Sequence, residues 1–166
     1  TARVEWWNGQ NWSMEGDAVN VRIIIADEDD SVRQRQRRIL EAEANFEVAG
    51  EAHSGRKLIQ LVEQAQPNVV IMEVNLPEIN GFETMRRIHR SYPELPVIAF
   101  SSYVKETYVL AMLKSGASGY VSKQSPVNEL GKAVRAVLRG QAYVSQSLHS
   151  ILIDEILRMH KEKRVM

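Results

Sequence analysis

The chain has 166 residues, 44% hydrophobic and 25% charged, which suits one domain with a sizeable core and some extension at its ends. Its 21 basic and 21 acidic residues cancel, so no global field draws it onto nucleic acid or an acidic membrane. It has no cysteine, which excludes disulfides, thiolate catalysis and cysteine-ligated zinc and suits a reducing cytoplasm.

Residues 1–18, TARVEWWNGQNWSMEGDA, show neither helix nor strand periodicity and read as a peripheral extension or tag, with Trp6, Trp7 and Trp12 as an alternative docking patch. No basic segment followed by an apolar one marks a signal peptide. No apolar run approaches the ~20 residues that span a bilayer.

From Val19 the pattern becomes regular. Short β-branched runs at 21–26 (VRIIIA), 46–52 (FEVAGEA), 68–73 (NVVIME), 96–101 (PVIAFS) and 119–122 (GYVS) predict strands. Three of them, at 21–26, 68–73 and 96–101, are apolar without alternation, as expected of strands buried on both faces of a parallel sheet. Helical spacing separates them: Val32, Gln36, Ile39 and Leu40 on the first helix; Leu58, Leu61, Val62 and Ala65 on the second, which stops before Pro67; Phe82, Met85 and Ile88 on the third. Tyr108, Ala111 and Met112 mark the fourth, ending near Gly116. Val127, Leu130, Val134, Val137 and Leu138 mark the fifth, with Pro126 in its first turn and Gly140 at its end.

This is a (βα)5 pattern over residues 19–142. Right-handed crossovers make it an α/β doubly wound parallel sheet of the flavodoxin-like kind, with strand order 2-1-3-4-5. Sites in such sheets lie beyond the carboxyl ends of the strands, at the topological switch between the first and third. There the sequence places Asp27, Glu28, Asp29 and Asp30 after the first strand, Glu73 after the third, Ser101 and Ser102 after the fourth and Lys123 after the fifth. Clustered carboxylates need a compensating cation, and oxygen donors suit a hard one such as Mg²⁺. Asp29 and Asp30 also suit the N-terminus of the first helix. His53, His89, His149 and His160 show no zinc-type spacing.

In this order, Asp27-Glu28, Glu73 followed by NLPEINGFE, Ser101, SGASGYVSK (115–123) and a last amphipathic helix resemble the receiver domain of two-component response regulators. The stretch from Ser115 to Ser145 looks most like the NarL/FixJ-type subfamily, whose receivers commonly precede a helix-turn-helix DNA-binding domain. The resemblance implies phosphoryl transfer from a histidine kinase or phosphotransfer protein to an aspartate at the end of the third strand, the position held here by Glu73. It also implies Mg²⁺ bound by Glu28 directly, by Asp27 through water and by the Asn75 carbonyl beside Glu73. Ser101 and Lys123 would contact the phosphoryl group, and Tyr120 would be the aromatic switch.

Glutamate is one methylene longer than aspartate and reaches roughly 1–1.5 Å further, toward where phosphoryl oxygens would lie. It carries one charge and two oxygens against about −1.5 to −2 and three for a phosphate. It is thus a partial imitation, and a misplaced nucleophile for in-line transfer. Little or no phosphotransfer is expected. Glu73 fits either a natural atypical receiver or an introduced change that holds the active state. A Mg²⁺-dependent phosphohydrolase would need an aspartate nucleophile or a placed base, and the chain has no lid-sized insertion, so a regulatory and non-enzymatic role is expected.

Residues 143–166 read as a linker or dimerisation unit. Within them 145–163 form an extra C-terminal helix with a stripe of Leu148, Ile151, Leu152, Ile156 and Met159, widened by Ile153 and Leu157. Such a face must be buried on its own domain, on another chain of a homodimer, or against a following DNA-binding domain. Arg33, Arg35, Arg37 and Arg38 read as a solvated helix face, so DNA is expected only through an output domain absent from this chain. The alternative is a stand-alone atypical receiver, a phosphorylation-independent interaction adaptor.

Overall fold

A computed structural model describes residues 6–7, 12–13 and 20–165. Trp6–Trp7 and Trp12–Ser13 form a short antiparallel pair; the tryptophan patch itself lies outside the described side chains. The rest alternates in chain order: β1 (Val21–Ala26), α1 (Asp30–Glu41), β2 (Phe46–Ala52), α2 (Gly55–Ala65), β3 (Val69–Met72), α3 (Gly81–Ser91), β4 (Val97–Ser101), α4 (Glu106–Lys114), β5 (Gly119–Ser122), α5 (Glu129–Leu138), β6 (Tyr143–Val144) and α6 (His149–Val165). The strands form one parallel sheet in the order β2-β1-β3-β4-β5-β6. The flavodoxin-like order read from the sequence holds, and β6 extends it by one short strand beyond residue 142.

Alternation along the strands builds the two cores. Ile24, Val70, Met72 and Ala99 point to the face covered by α2, α3 and α4, where they meet Leu58, Val62, Met85, Ile88 and Met112. Ile23, Ile25, Val69, Ile71 and Ile98 point to the other face, against Leu40 of α1 and Leu130, Val134 and Val137 of α5. Each such buried side chain contributes about 1.5–3 kcal/mol relative to an exposed one.

Local signals set the helix ends. Asp29 caps α1 by accepting from the Ser31 and Val32 amides at 2.9 and 3.3 Å. Ser54 and Asn80 cap α2 and α3 in the same way. The loop leading from β3 to α3 is held tightly: a Cβ on Gly81 would lie 2.2 Å from the Val74 carbonyl oxygen, and one on Gly55 would lie 2.0 Å from that of Ile79. Only glycine admits this approach.

Two expectations are corrected. Helix α5 begins at Glu129, because Pro126 starts a separate turn closed by Glu129 N–H to the Pro126 carbonyl at 3.0 Å. Val127 therefore falls outside the helix and is 57% exposed. The last segment opens with a 3₁₀ turn, Gln146–Leu148, and the expected apolar stripe is buried only at its start: Leu148 joins the core, whereas Ile156 and Met159 are exposed.

Candidate functional site

Parallel strands deliver their carboxyl ends to one edge, and the acids, the hydroxyl and the lysine meet there. Asp27 follows β1 and is 3% exposed, Glu73 follows β3 and is 7% exposed, and Ser101 ends β4 fully buried. Lys123 follows β5, anchored by its amide to the Ser101 carbonyl at 3.0 Å.

The Lys123 ammonium sits between two carboxylates, 2.5 Å from Glu73 Oε2 and 2.6 Å from Asp27 Oδ2. Glu73 Oε1 accepts from the Ser101 hydroxyl and from the Val74 amide, the latter at 2.7 Å. Asp27 Oδ1 accepts from the Asp29 amide at 2.9 Å, and its main-chain carbonyl accepts from Arg33. Burial alone would lower the Lys123 pKa, but hydrogen bonds to Asp27 and then Glu73 outweigh it, so the net shift is upward and the ammonium is held charged. The ammonium also lies over the Phe100 ring, with the nitrogen 5.9 Å from the centroid.

Tyr120, on β5, is fully buried, and its hydroxyl donates to the main-chain carbonyl of Tyr103. Burial pushes its pKa up to about 12, with the Glu73 charge adding to the shift and the Ser101 contact opposing it. The Tyr103 amide in turn donates to Ser101 Oγ at 3.0 Å. Glu73, Ser101, Tyr103 and Tyr120 thus form one continuous chain of contacts. Tyr103 also meets Asn75 Nδ2 at 3.4 Å through its hydroxyl, and its ring packs on Tyr108 at 5.5 Å.

Asp27, Glu28, Asp29, Glu73, Asn75 and Tyr103 line an open recess of about 390 Å³. Its oxygens are right in kind for a hard cation. Asp27 and Glu73 are turned to Lys123 and Glu28 stands exposed at the rim, and among the described residues no three acidic or histidine side chains gather at one point.

The structure brings Asp27, Glu73, Ser101, Lys123 and Tyr120 into contact and leaves Glu28 and Asn75 at the mouth. Sequence reading missed Tyr103 and Arg33. Tyr103 stands two residues beyond the strand-end hydroxyl, close enough for the strand-end rule to include it. Arg33, read from the sequence as part of a solvated helix face, is instead 12% exposed and pairs with Asp30 and Glu51 besides donating to the Asp27 carbonyl.

A parallel sheet thus carries a lysine-bridged acid pair and a buried hydroxyl at its carboxyl edge. The chain belongs to the response regulator receiver domain family, whose model matches residues 23–135. It is 36% identical over 142 residues to the transcriptional regulatory protein DegU of Brevibacillus brevis, covering 86% of this chain and 60% of DegU. It is 33% identical to the oxygen regulatory protein NreC of Staphylococcus epidermidis, covering 87% and 67%. Among solved structures it resembles a LuxR-family two-component response regulator from Aurantimonas, with a TM-score of 0.79 and 28% identity over 83% of this chain and 99% of that one. It also resembles the receiver domain of RcsB from Salmonella enterica in the presence of phosphomimetic BeF3⁻, with a TM-score of 0.74 and 26% identity over 80% and 98%. The chain spans under two thirds of DegU. Among the described residues no helix is long and apolar enough to cross a membrane.

Proposed function

We propose that this receiver domain is one in which Glu73 holds the phosphoacceptor place and imitates the phosphorylated state. The observation that carries the reading is the double engagement of one carboxylate: Glu73 takes the Ser101 hydroxyl on one oxygen and the Lys123 ammonium on the other. Those are the two groups that the family resemblance assigns to a phosphoryl group. The added methylene carries the charge to them. Tyr120, in the role of switch residue, is buried and bonded to Tyr103, as a settled switch would be.

Phosphotransfer is lost in this reading, because both Glu73 oxygens are occupied and the nucleophile is displaced. Mg²⁺ would be held by Asp27, Glu28 and the Asn75 carbonyl, weakly, since Lys123 competes for Asp27 and Glu73. The partners are a histidine kinase or phosphotransfer protein, a second copy of the chain, and, through an output domain outside this chain, DNA. Transcription control is supported by DegU, a transcriptional regulatory protein. The test is intact mass after exposure to a small phosphodonor with Mg²⁺. No adduct is expected on this chain, and stoichiometric modification at Glu73 would overturn the reading.

One observation favours a second reading. Asp27 and Glu73 are both satisfied by Lys123 within the domain, which suits an adaptor that works without metal or phosphate. Calorimetry with Mg²⁺ separates the two: an adaptor gives no binding heat even after Glu73→Asp.

A further inference from the structure

Helix α6 packs on its domain from one side only. Leu148, in the turn before it, is buried, Ile151 rests on the core, and Glu155 is 6% exposed. Glu155 takes Lys114 of α4 at 3.0 Å and Arg158 at 2.7 Å. Leu148, Ile151 and the Glu155–Lys114 pair together mark the side of the helix that faces the domain. The opposite side then carries Ile153, Ile156 and Leu157, which are 56%, 65% and 54% exposed. Their spacing of three and four residues makes them a single stripe. Exposed apolar residues scattered singly are ordinary, but three on one stripe form a patch.

The charges beside the stripe are asymmetric. Asp154 lies toward the N-terminal half and Lys161, Lys163 and Arg164 toward the C-terminal end. Asp154 and Lys161 are seven residues apart and so lie on the same edge of the helix. Neither has an ion-pair partner among the described residues, whereas Glu155 and Glu162 are already neutralised by Arg158.

We propose that the stripe is covered by α6 of a second copy of this chain, running antiparallel to the first. A twofold axis makes the contact isologous, so Asp154 of each copy meets Lys161 of the other. The antiparallel arrangement also separates the two basic ends and opposes the helix dipoles. A parallel pair would set Lys161, Lys163 and Arg164 against their own equivalents. The interface is short and lies at the small end of the size range, so the dimer dissociates on dilution. The proposal does not depend on the reading of Glu73, whose partners are Ser101, Lys123 and the Val74 amide rather than residues of α6.

Sedimentation velocity of the full chain over a range of concentrations tests this, with circular dichroism as the check on folding. A concentration-dependent dimer is expected, and Leu157→Glu should abolish it without loss of helix, because the residue is exposed. Asp154→Lys and Lys161→Glu should each weaken the dimer at least several-fold, and an equimolar mixture of the two should restore it as a heterodimer. A chain that stays monomeric at every concentration overturns the proposal. So does a dimer indifferent to Leu157→Glu, which places the contact on another face. A mixture that fails to recover overturns the antiparallel arrangement.

Discussion

Lys123 Nζ lies 2.5 Å from Glu73 Oε2, joining the end of β5 to the end of β3 across the intervening β4. Both side chains are largely buried, at 18% and 8% exposed, so the contact is neither screened nor replaceable by water. Glu73 is thereby held by a cation within its own domain.

Shortening that carboxylate should free it. With Glu73→Asp the oxygens withdraw by roughly 1–1.5 Å, the nucleophile returns to the aspartate position of the family, and a small phosphodonor with Mg²⁺ should add one phosphoryl group. Intact mass spectrometry of the two proteins side by side reads the result.

Removing the cation should cost stability. Lys123→Met leaves Asp27 and Glu73 as facing, unpaired, buried carboxylates, and breaking such a pair destabilises by about 3–5 kcal/mol. Urea unfolding should show that loss at neutral pH. The double variant Lys123→Met, Glu73→Gln should recover part of it by removing one of the two charges.

The same lysine should compete with any cation that enters the recess. If Lys123 competes for Asp27 and Glu73, Mg²⁺ should bind more tightly to the Lys123→Met variant than to the unaltered chain, as two anionic side chains become available to it. Isothermal calorimetry measures both. Equal affinities would show that the ammonium does not guard the site.

Tyr120→Phe should keep the packed ring and lose the hydrogen bond to the Tyr103 carbonyl, at a cost of about 1 kcal/mol. Amides from Tyr103 to Lys105 should then exchange faster, while the core strands keep their protection. In the unaltered chain burial pushes the Tyr120 phenol from 10.0 up to about 12. Its folded value is raised, so this contribution to stability is full below 10 and is lost as pH rises through about 12. Ultraviolet titration of the phenolate band follows it.

Acid should loosen α6. Arg158 first, and then Lys114, hold the Glu155 carboxyl down from its ordinary 4.5 to about 2. A folded value below the unfolded one adds stability above pH 4.5, and that stability is lost as pH falls through about 2. Exchange protection of α6 should therefore fall in this window, and Glu155→Gln should remove the pH dependence.

Much of the architecture was legible because it is recorded locally. The strands at 21–26 and 46–52 coincide with the observed β1 and β2, the first because burial on both faces of a sheet selects a short, β-branched apolar run. The Asp29 cap was legible because its partners are two and three residues away. β6 was not, because two residues carry no periodicity and Tyr143–Val144 gain strand form only by pairing with Gly119 and Tyr120. The burial of α6 was not legible either. Apolar residues lie on more than one side of that helix, and the inward side is marked by long-range contacts, Leu148 and Ile151 to the core and Glu155 to Lys114, 41 positions earlier.

For the site, the chain order of acids, hydroxyl and lysine at successive strand ends was enough to assemble the cast. Hydrophobic periodicity, caps and glycines determined the sheet, and the sheet determined which residues share an edge. The pairings within that edge were decided by the tertiary structure alone. Lys123 meets Glu73 across 50 residues of chain and Asp27 across 96. Which carboxylate oxygen it takes, which one is left for Ser101, and whether any remain for a metal depend on side-chain angles and strand offsets that no local pattern encodes.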